Sequence, residues 1–177
     1  MLRLFAAIAI PDDIAEPLEG RLHDLEGARW RPIEALHITL RFFGELTETV
    51  ADDLDAELST ITSPPFALNL QEVGSFGEGY RLDTLWAGVS DSEPLRQLAH
   101  RCETAARRAG LKPEGRVYKP HVTLAYLKRP APAAVAAWIQ ANNLLKSPPF
   151  GVDRFGLYSS HQTGEGSRYR LEKEYRF

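Results

Sequence analysis

The chain has 177 residues, is 44% hydrophobic and 25% charged, and carries a formal net charge of −3. That length can bury a sizeable core without staples, in one compact domain or two fused lobes. A single cysteine, Cys102, excludes an internal disulfide and fits a reducing compartment. No apolar run approaches the ~18 residues a spanning helix needs. The apolar start from Met1 to Pro11 lacks a basic leader and a cleavage pattern, so it reads as a strand. The expectation is a soluble, cytoplasmic, monomeric protein with no membrane partner. Charge is unevenly placed: residues 1–60 hold 5 Lys/Arg against 13 Asp/Glu, and residues 101–177 hold 14 against 6. The basic half is either a solvated face or a local surface for phosphate.

In chain order, residues 3–10 read as a buried strand. Pro11-Asp12-Asp13 then opens a helix with Ile14, Leu18, Leu22 and Leu25 at helical spacing, ended by Gly27. Arg29–Arg31 reads as a short strand and Leu36–Phe43 as a longer one. Thr47 is the expected N-cap of a helix with apolar stripe Val50, Leu54, Leu58, Ile61, stopped by Ser63-Pro64-Pro65. Phe66–Val73 alternates as one strand, Gly74–Gly79 reads as a glycine-rich loop without P-loop spacing, and Thr84–Val89 as a further strand. Ser92 caps a helix running to Ala109, on whose apolar register Cys102 lies as a packed thiol. A strand at His121–Leu127, a helix over 132–145, and strands near 151–160 and 168–175 joined by a turn with Gly164 and Gly166 complete the chain.

Two tetrapeptides stand out, His37-Ile38-Thr39-Leu40 and His121-Val122-Thr123-Leu124. Strand side chains alternate between faces, so each His and Thr point one way and the aliphatic residues point into a core. Ser-Pro-Pro-Phe also occurs twice, and the interval from His37 to Phe66 equals that from His121 to Phe150, 29 positions. The equal interval predicts a duplicated α/β unit and a pseudo-twofold pair of lobes. The predicted unit is one domain spanning 1–177, made of two intertwined lobes.

Two imidazoles at such an axis can act in opposite protonation states, one accepting and one giving a proton, while the threonines donate to non-bridging phosphate oxygens. No metal or other cofactor is required. Zinc-type ligand spacing is absent, as is a Gly-x-Ser-x-Gly elbow. His23 and His100 read as surface residues, and His161 as the end of a strand.

These segments resemble the two-histidine (2H) phosphoesterases, specifically the RNA 2′,3′-cyclic phosphodiesterase or 2′-5′ RNA ligase-like group. The resemblance runs through Arg3–Ile8, Leu36–Glu45, Leu85–Val89, Lys119–Ala125 and Leu157–Ser160. It implies a bilobal, pseudo-twofold α+β fold of two antiparallel-rich sheets with helices outside, and a central cleft carrying His37, Thr39, His121 and Thr123. It also implies opening of a 2′,3′-cyclic phosphate RNA end to a 2′-phosphomonoester, with the reverse ligation accessible. His121 is read as base for water and His37 as acid for the leaving O3′.

Many relatives read Arg where this chain has Tyr126, and that Arg is expected to help hold phosphate. Arg41, in phase with His37 and Thr39 on an ideal strand, is the first substitute, followed by Lys119, Lys128 and Arg129. Trp30, Phe42, Tyr118 and Tyr126 are candidates for stacking on bases. Two alternatives stay open. One is a phosphodiesterase of small cyclic nucleotides or 2′-5′ oligoadenylates; the other is a nucleotide-binding module with little turnover.

Overall fold

The computed structural model describes residues 1–164 and 166–177. Strand β1 (Leu2–Ala9) leads into a one-turn helix α1 (Asp12–Ala15). The helix expected to reach Gly27 instead tightens into a 3₁₀ segment over Glu16–Arg21. Pro17 has no N–H for the preceding turn, and Gly20 adds no helical preference. Ile14, Leu18 and Leu25 are nonetheless buried as anticipated. Strand β2 (Ala28–Trp30), a 3₁₀ turn at Ile33–Ala35, and β3 (His37–Leu46) follow. Thr47 caps α2 (Glu48–Leu58) by accepting from the Val50 N–H.

The single strand expected over Phe66–Val73 is two, β4 (Phe66–Leu68) and β5 (Leu70–Phe76), which join different sheets. The chain turns at Asn69, whose N–H donates to Ser90 Oγ, and the Leu70 N–H donates to Ser147 Oγ at 2.8 Å. The glycine-rich stretch accordingly begins inside β5, where Gly74 lets the Trp86 ring lie against the backbone. Next come β6 (Thr84–Val89), α3 (Glu93–Arg108, capped by Ser92) and β7 (His121–Leu127). Helix α4 (Pro132–Asn142) stops short of Leu145, which is buried from a loop. Strands β8 (Phe150–Val152), β9 (Arg154–Thr163) and β10 (Gly166–Arg176) end the chain. Of the expected last turn, Glu165 lies outside the described residues.

The main sheet is antiparallel, in the order β10-β9-β1-β3-β7-β6-β5, with β2 also paired to β7. Its two halves meet through one register pair, Ile38↔Val122. Beyond that seam β3 leaves β7, and β2 takes the vacated edge through Ala28↔Leu127, Arg29↔Tyr126 and Trp30↔Ala125. A small second sheet pairs β4 with β8 through Ala67↔Gly151. Both pairings join residues that occupy equivalent places in the two repeats, so the repeat is a pseudo-twofold with its axis through the seam and the ribbon.

Each motif strand carries a bulge at its Leu. Ala7 pairs with Thr39 and Ala6 with Arg41, leaving Leu40 unpaired; Trp86 pairs with Thr123 and Leu85 with Ala125, leaving Leu124 unpaired. A bulge resets which residues face which side. The core lies on the face of Ile38 and Val122 (0% exposed), covered by Leu54 and Leu58 of α2 and by Leu95, Leu98 and Cys102 of α3. Among the described residues no helix is long and apolar enough to cross a membrane.

Candidate active site

The opposite face of the sheet carries the motif side chains. With Ile38 facing Val122 in an antiparallel pair, His37 comes beside Thr123 and Thr39 beside His121, a four-cornered arrangement across the seam. His37, Thr39 and Thr123 line one cleft. Both imidazoles are held alike: Nδ1 of His37 lies 2.8 Å from the Ala35 carbonyl, and Nδ1 of His121 lies 2.7 Å from the Lys119 carbonyl. A carbonyl only accepts, so each Nδ1 bears the hydrogen and each Nε2 is left to exchange a proton with a ligand. The two bonds occupy equivalent positions, two residues before each His.

Aromatic rings enclose the pair. Phe5 stacks on His37 at 4.9 Å between centroids, Tyr169 meets it edge-on at 5.1 Å, and Phe76 meets His121 edge-on at 4.8 Å. Tyr158 continues the Phe5 stack at 5.5 Å. Burial therefore disfavours the charged imidazoles. His37 is pushed down to about 4, chiefly by desolvation, with the charges of Arg31 and His121 adding to it. His121, less enclosed, is also lowered by burial. Thr39 is fixed from behind by the Tyr118 hydroxyl, which donates to its carbonyl at 2.8 Å.

The depressed His37 pKa has a measurable consequence. The unfolded chain takes up this proton near pH 6.5 and the folded chain only near 4. The stability His37 contributes is therefore complete above about pH 6.5 and is lost as pH falls toward 4, on the order of 3 kcal/mol in full. His37→Asn, which keeps a donor for the Ala35 carbonyl, is expected to lose less stability over that interval than the parent. Urea denaturation at both pH values checks this; equal losses would refute it.

The other residues expected at the cleft divide. Tyr126 and its repeat equivalent Phe42 line it. Arg41 does not: the bulge at Leu40 turns it toward α3, where it pairs with Glu103 and donates to the Phe42 and Lys112 carbonyls. Its expected role as the phosphate-holding arginine is corrected accordingly. Lys119 is exposed outside the cleft lining and serves through its carbonyl, while Arg129 lies exposed beyond the end of β7. Trp30 packs on Trp138 at 5.6 Å, away from the cleft. His161 bonds Ser159, which also donates to Glu172, on the face of β9 opposite to Ser160. His23 is exposed beside Asp24, and His100 is exposed.

Sequence reasoning missed Arg31, Gln162, Ser167 and Tyr169 as cleft residues and gave Arg3, Phe5 and Ser160 no role there. For Phe5 a signal existed: on a strand its side chain opposes those of Leu4 and Ala6, which enter the core. Among the described residues no cluster of three or more His, Cys, Asp or Glu could hold a metal ion.

A pseudo-twofold antiparallel sheet that brings two His-x-Thr pairs to its seam defines a two-histidine phosphoesterase. Residues 10–164 match the model of the 2′-5′ RNA ligase superfamily, and the chain belongs to that family. It is 31% identical to an RNA 2′,3′-cyclic phosphodiesterase of Archaeoglobus fulgidus, covering 96% of this chain and 97% of that one. Its identity to the Escherichia coli RNA 2′,3′-cyclic phosphodiesterase is also 31%, over 94% and 92% of the two chains. The crystal structure of E. coli LigT complexed with 3′-AMP superposes with a TM-score of 0.81 at 26% identity, covering 99% of this chain and 98% of that one.

Proposed function

We propose that this chain opens 2′,3′-cyclic phosphate ends of RNA to 2′-phosphomonoesters by metal-independent acid–base catalysis. The observation that carries the proposal is the pair of imidazoles, each tethered through Nδ1 and flanked across the seam by a threonine. The names of the relatives and the 3′-AMP in the E. coli neighbour support it.

His121, the less enclosed imidazole, meets the attacking water and takes its proton at Nε2. The water oxygen bonds phosphorus, the P–O3′ bond breaks, and His37 gives its Nε2 proton to O3′. The product is a 2′-phosphomonoester with a free 3′-hydroxyl. Thr39 and Thr123 donate to non-bridging oxygens as charge builds. His37 is neutral in the free cleft at neutral pH, so the anionic phosphate must supply the field that lets it hold a proton. Protonation of the acid is thereby tied to occupancy. With an RNA 5′-hydroxyl in place of water, His121 again takes the proton of the nucleophile and His37 again protonates the leaving O3′, so the same groups form a 2′-5′ linkage as ligation.

Incubating the protein, in EDTA, with an oligonucleotide of defined 2′,3′-cyclic end tests the proposal. The expected product is the 2′-phosphate; no turnover, or a 3′-phosphate product, overturns it.

A further inference from the structure

We propose that Arg31 is the anion-binding group of this cleft, donating to a non-bridging oxygen of the phosphate between the two histidines. The inference rests on the phosphodiesterase reading for the identity of the ligand, but not for the existence of the site.

Arg31 is 6% exposed, one of only two polar residues buried to that degree among the described residues. It lines the cleft beside His37, Thr39 and Thr123, and no carboxylate pairs with it among the described residues. An uncompensated buried guanidinium is costly to keep. A site that holds one in a cleft open to ligand is built to receive a negative charge.

Its placement follows from β2. The Arg31 N–H donates to the Leu124 carbonyl at 2.8 Å, continuing the β2–β7 pairing to the edge of the seam. The guanidinium sits over the rings of Tyr169 at 5.0 Å and Tyr126 at 5.8 Å, and Nη2 donates to the Ser167 carbonyl at 3.0 Å. Two ring faces and one carbonyl fix the plane of the fork, while a guanidinium has five N–H donors in all. Donors are therefore left for a ligand in a preorganised group, the geometry that suits phosphate.

The other cations of the neighbourhood are committed or peripheral. Arg41 is tied to Glu103, and Arg3 is an exposed residue stacked on Phe42 at the rim. Tyr126 thus has a defined part. On β7 it replaces the arginine expected from the resemblance, and it supports instead a guanidinium delivered from the adjoining strand. The charge has moved one strand over, within the same cleft.

Binding of 3′-AMP, measured by calorimetry on the full chain, tests the assignment. Arg31→Met, which keeps the apolar stem, is expected to weaken 3′-AMP roughly 10- to 100-fold. Part of the affinity is expected to return in Arg31→Met/Tyr126→Arg, a recovery that a merely structural Arg31 would not give. His37, observed by NMR, should titrate higher in Arg31→Met than in the parent. Binding of 3′-AMP by folded Arg31→Met within about twofold of the parent overturns the proposal. Should that variant not fold, Arg31→Lys decides, since a lysine lacks the planar fork; unchanged affinity there is equally fatal. Arg31-dependent binding without hydrolysis of any cyclic phosphate would sink the phosphodiesterase reading alone.

Discussion

Alanine at His37 or at His121 is expected to lower turnover of a 2′,3′-cyclic phosphate end about 10²- to 10⁴-fold, the usual contribution of a positioned acid or base. The two losses have different origins and can be separated chemically. A substrate with sulfur in place of the bridging O3′ departs as a thiolate, which needs no proton from the enzyme. On that substrate His37→Ala should recover most of its lost rate, while His121→Ala should not, because water still requires its base. Recovery in His121→Ala and not in His37→Ala would reverse the assignment. Near-parental turnover by either alanine variant on the ordinary substrate would remove the mechanism altogether. The symmetric Nδ1 tethers make this contrast clean, since each imidazole is oriented by a backbone carbonyl that substitution of the other leaves in place.

Glu103→Ala is expected to destabilise the protein by about 3–5 kcal/mol, the range for removing one partner of a buried ion pair. The side chains of Arg41 and Glu103 are 10% and 20% exposed, so the stranded guanidinium has little solvent to compensate it. Glu103 also accepts from the Glu114 N–H, and Arg41 reaches the Lys112 carbonyl, so the pair pins the loop between α3 and β7. Arg41→Met/Glu103→Leu removes both charges and should regain most of the stability. Denaturant midpoints of the three proteins check the order. The same double variant bears on the site: its KM for the cyclic phosphate should be unchanged. A large rise in KM would restore Arg41 as a substrate residue and contradict its placement behind the sheet.

The two motif strands and their relation were legible because alternation, turn residues and a repeated interval are local properties of the chain. The seam at Ile38↔Val122 and the small sheet at Ala67↔Gly151 join positions that the interval makes equivalent, but that these positions pair is visible only in the fold. Arg41 was misplaced for a definite reason. The phase of a strand can be counted from its own residues only while its ladder is regular, and the bulge at Leu40 exists through pairing with β1. The same slip at Leu124 brings Tyr126 rather than Ala125 into the cleft. Arg31 was invisible for another reason: the carbonyl that orients it lies 136 positions away. The first helix failed where Pro17 outweighed an apolar spacing that was otherwise sound.

The strand order carries one more consequence. Strand β9, which ends the second repeat, lies beside β1, whereas β5, which ends the first, lies beside β6. Each repeat thus hands its last strand to the opposite side, as two subunits do when they swap arms. Along a chain emerging from its N-terminus, the outer edge of β1 waits without a neighbour until β9 and β10 arrive. Those late strands bring Tyr158, Ser160 and Tyr169, the wall against which Phe5 and His37 stack. The enclosure of His37 is therefore finished last, when β9 and β10 dock on β1.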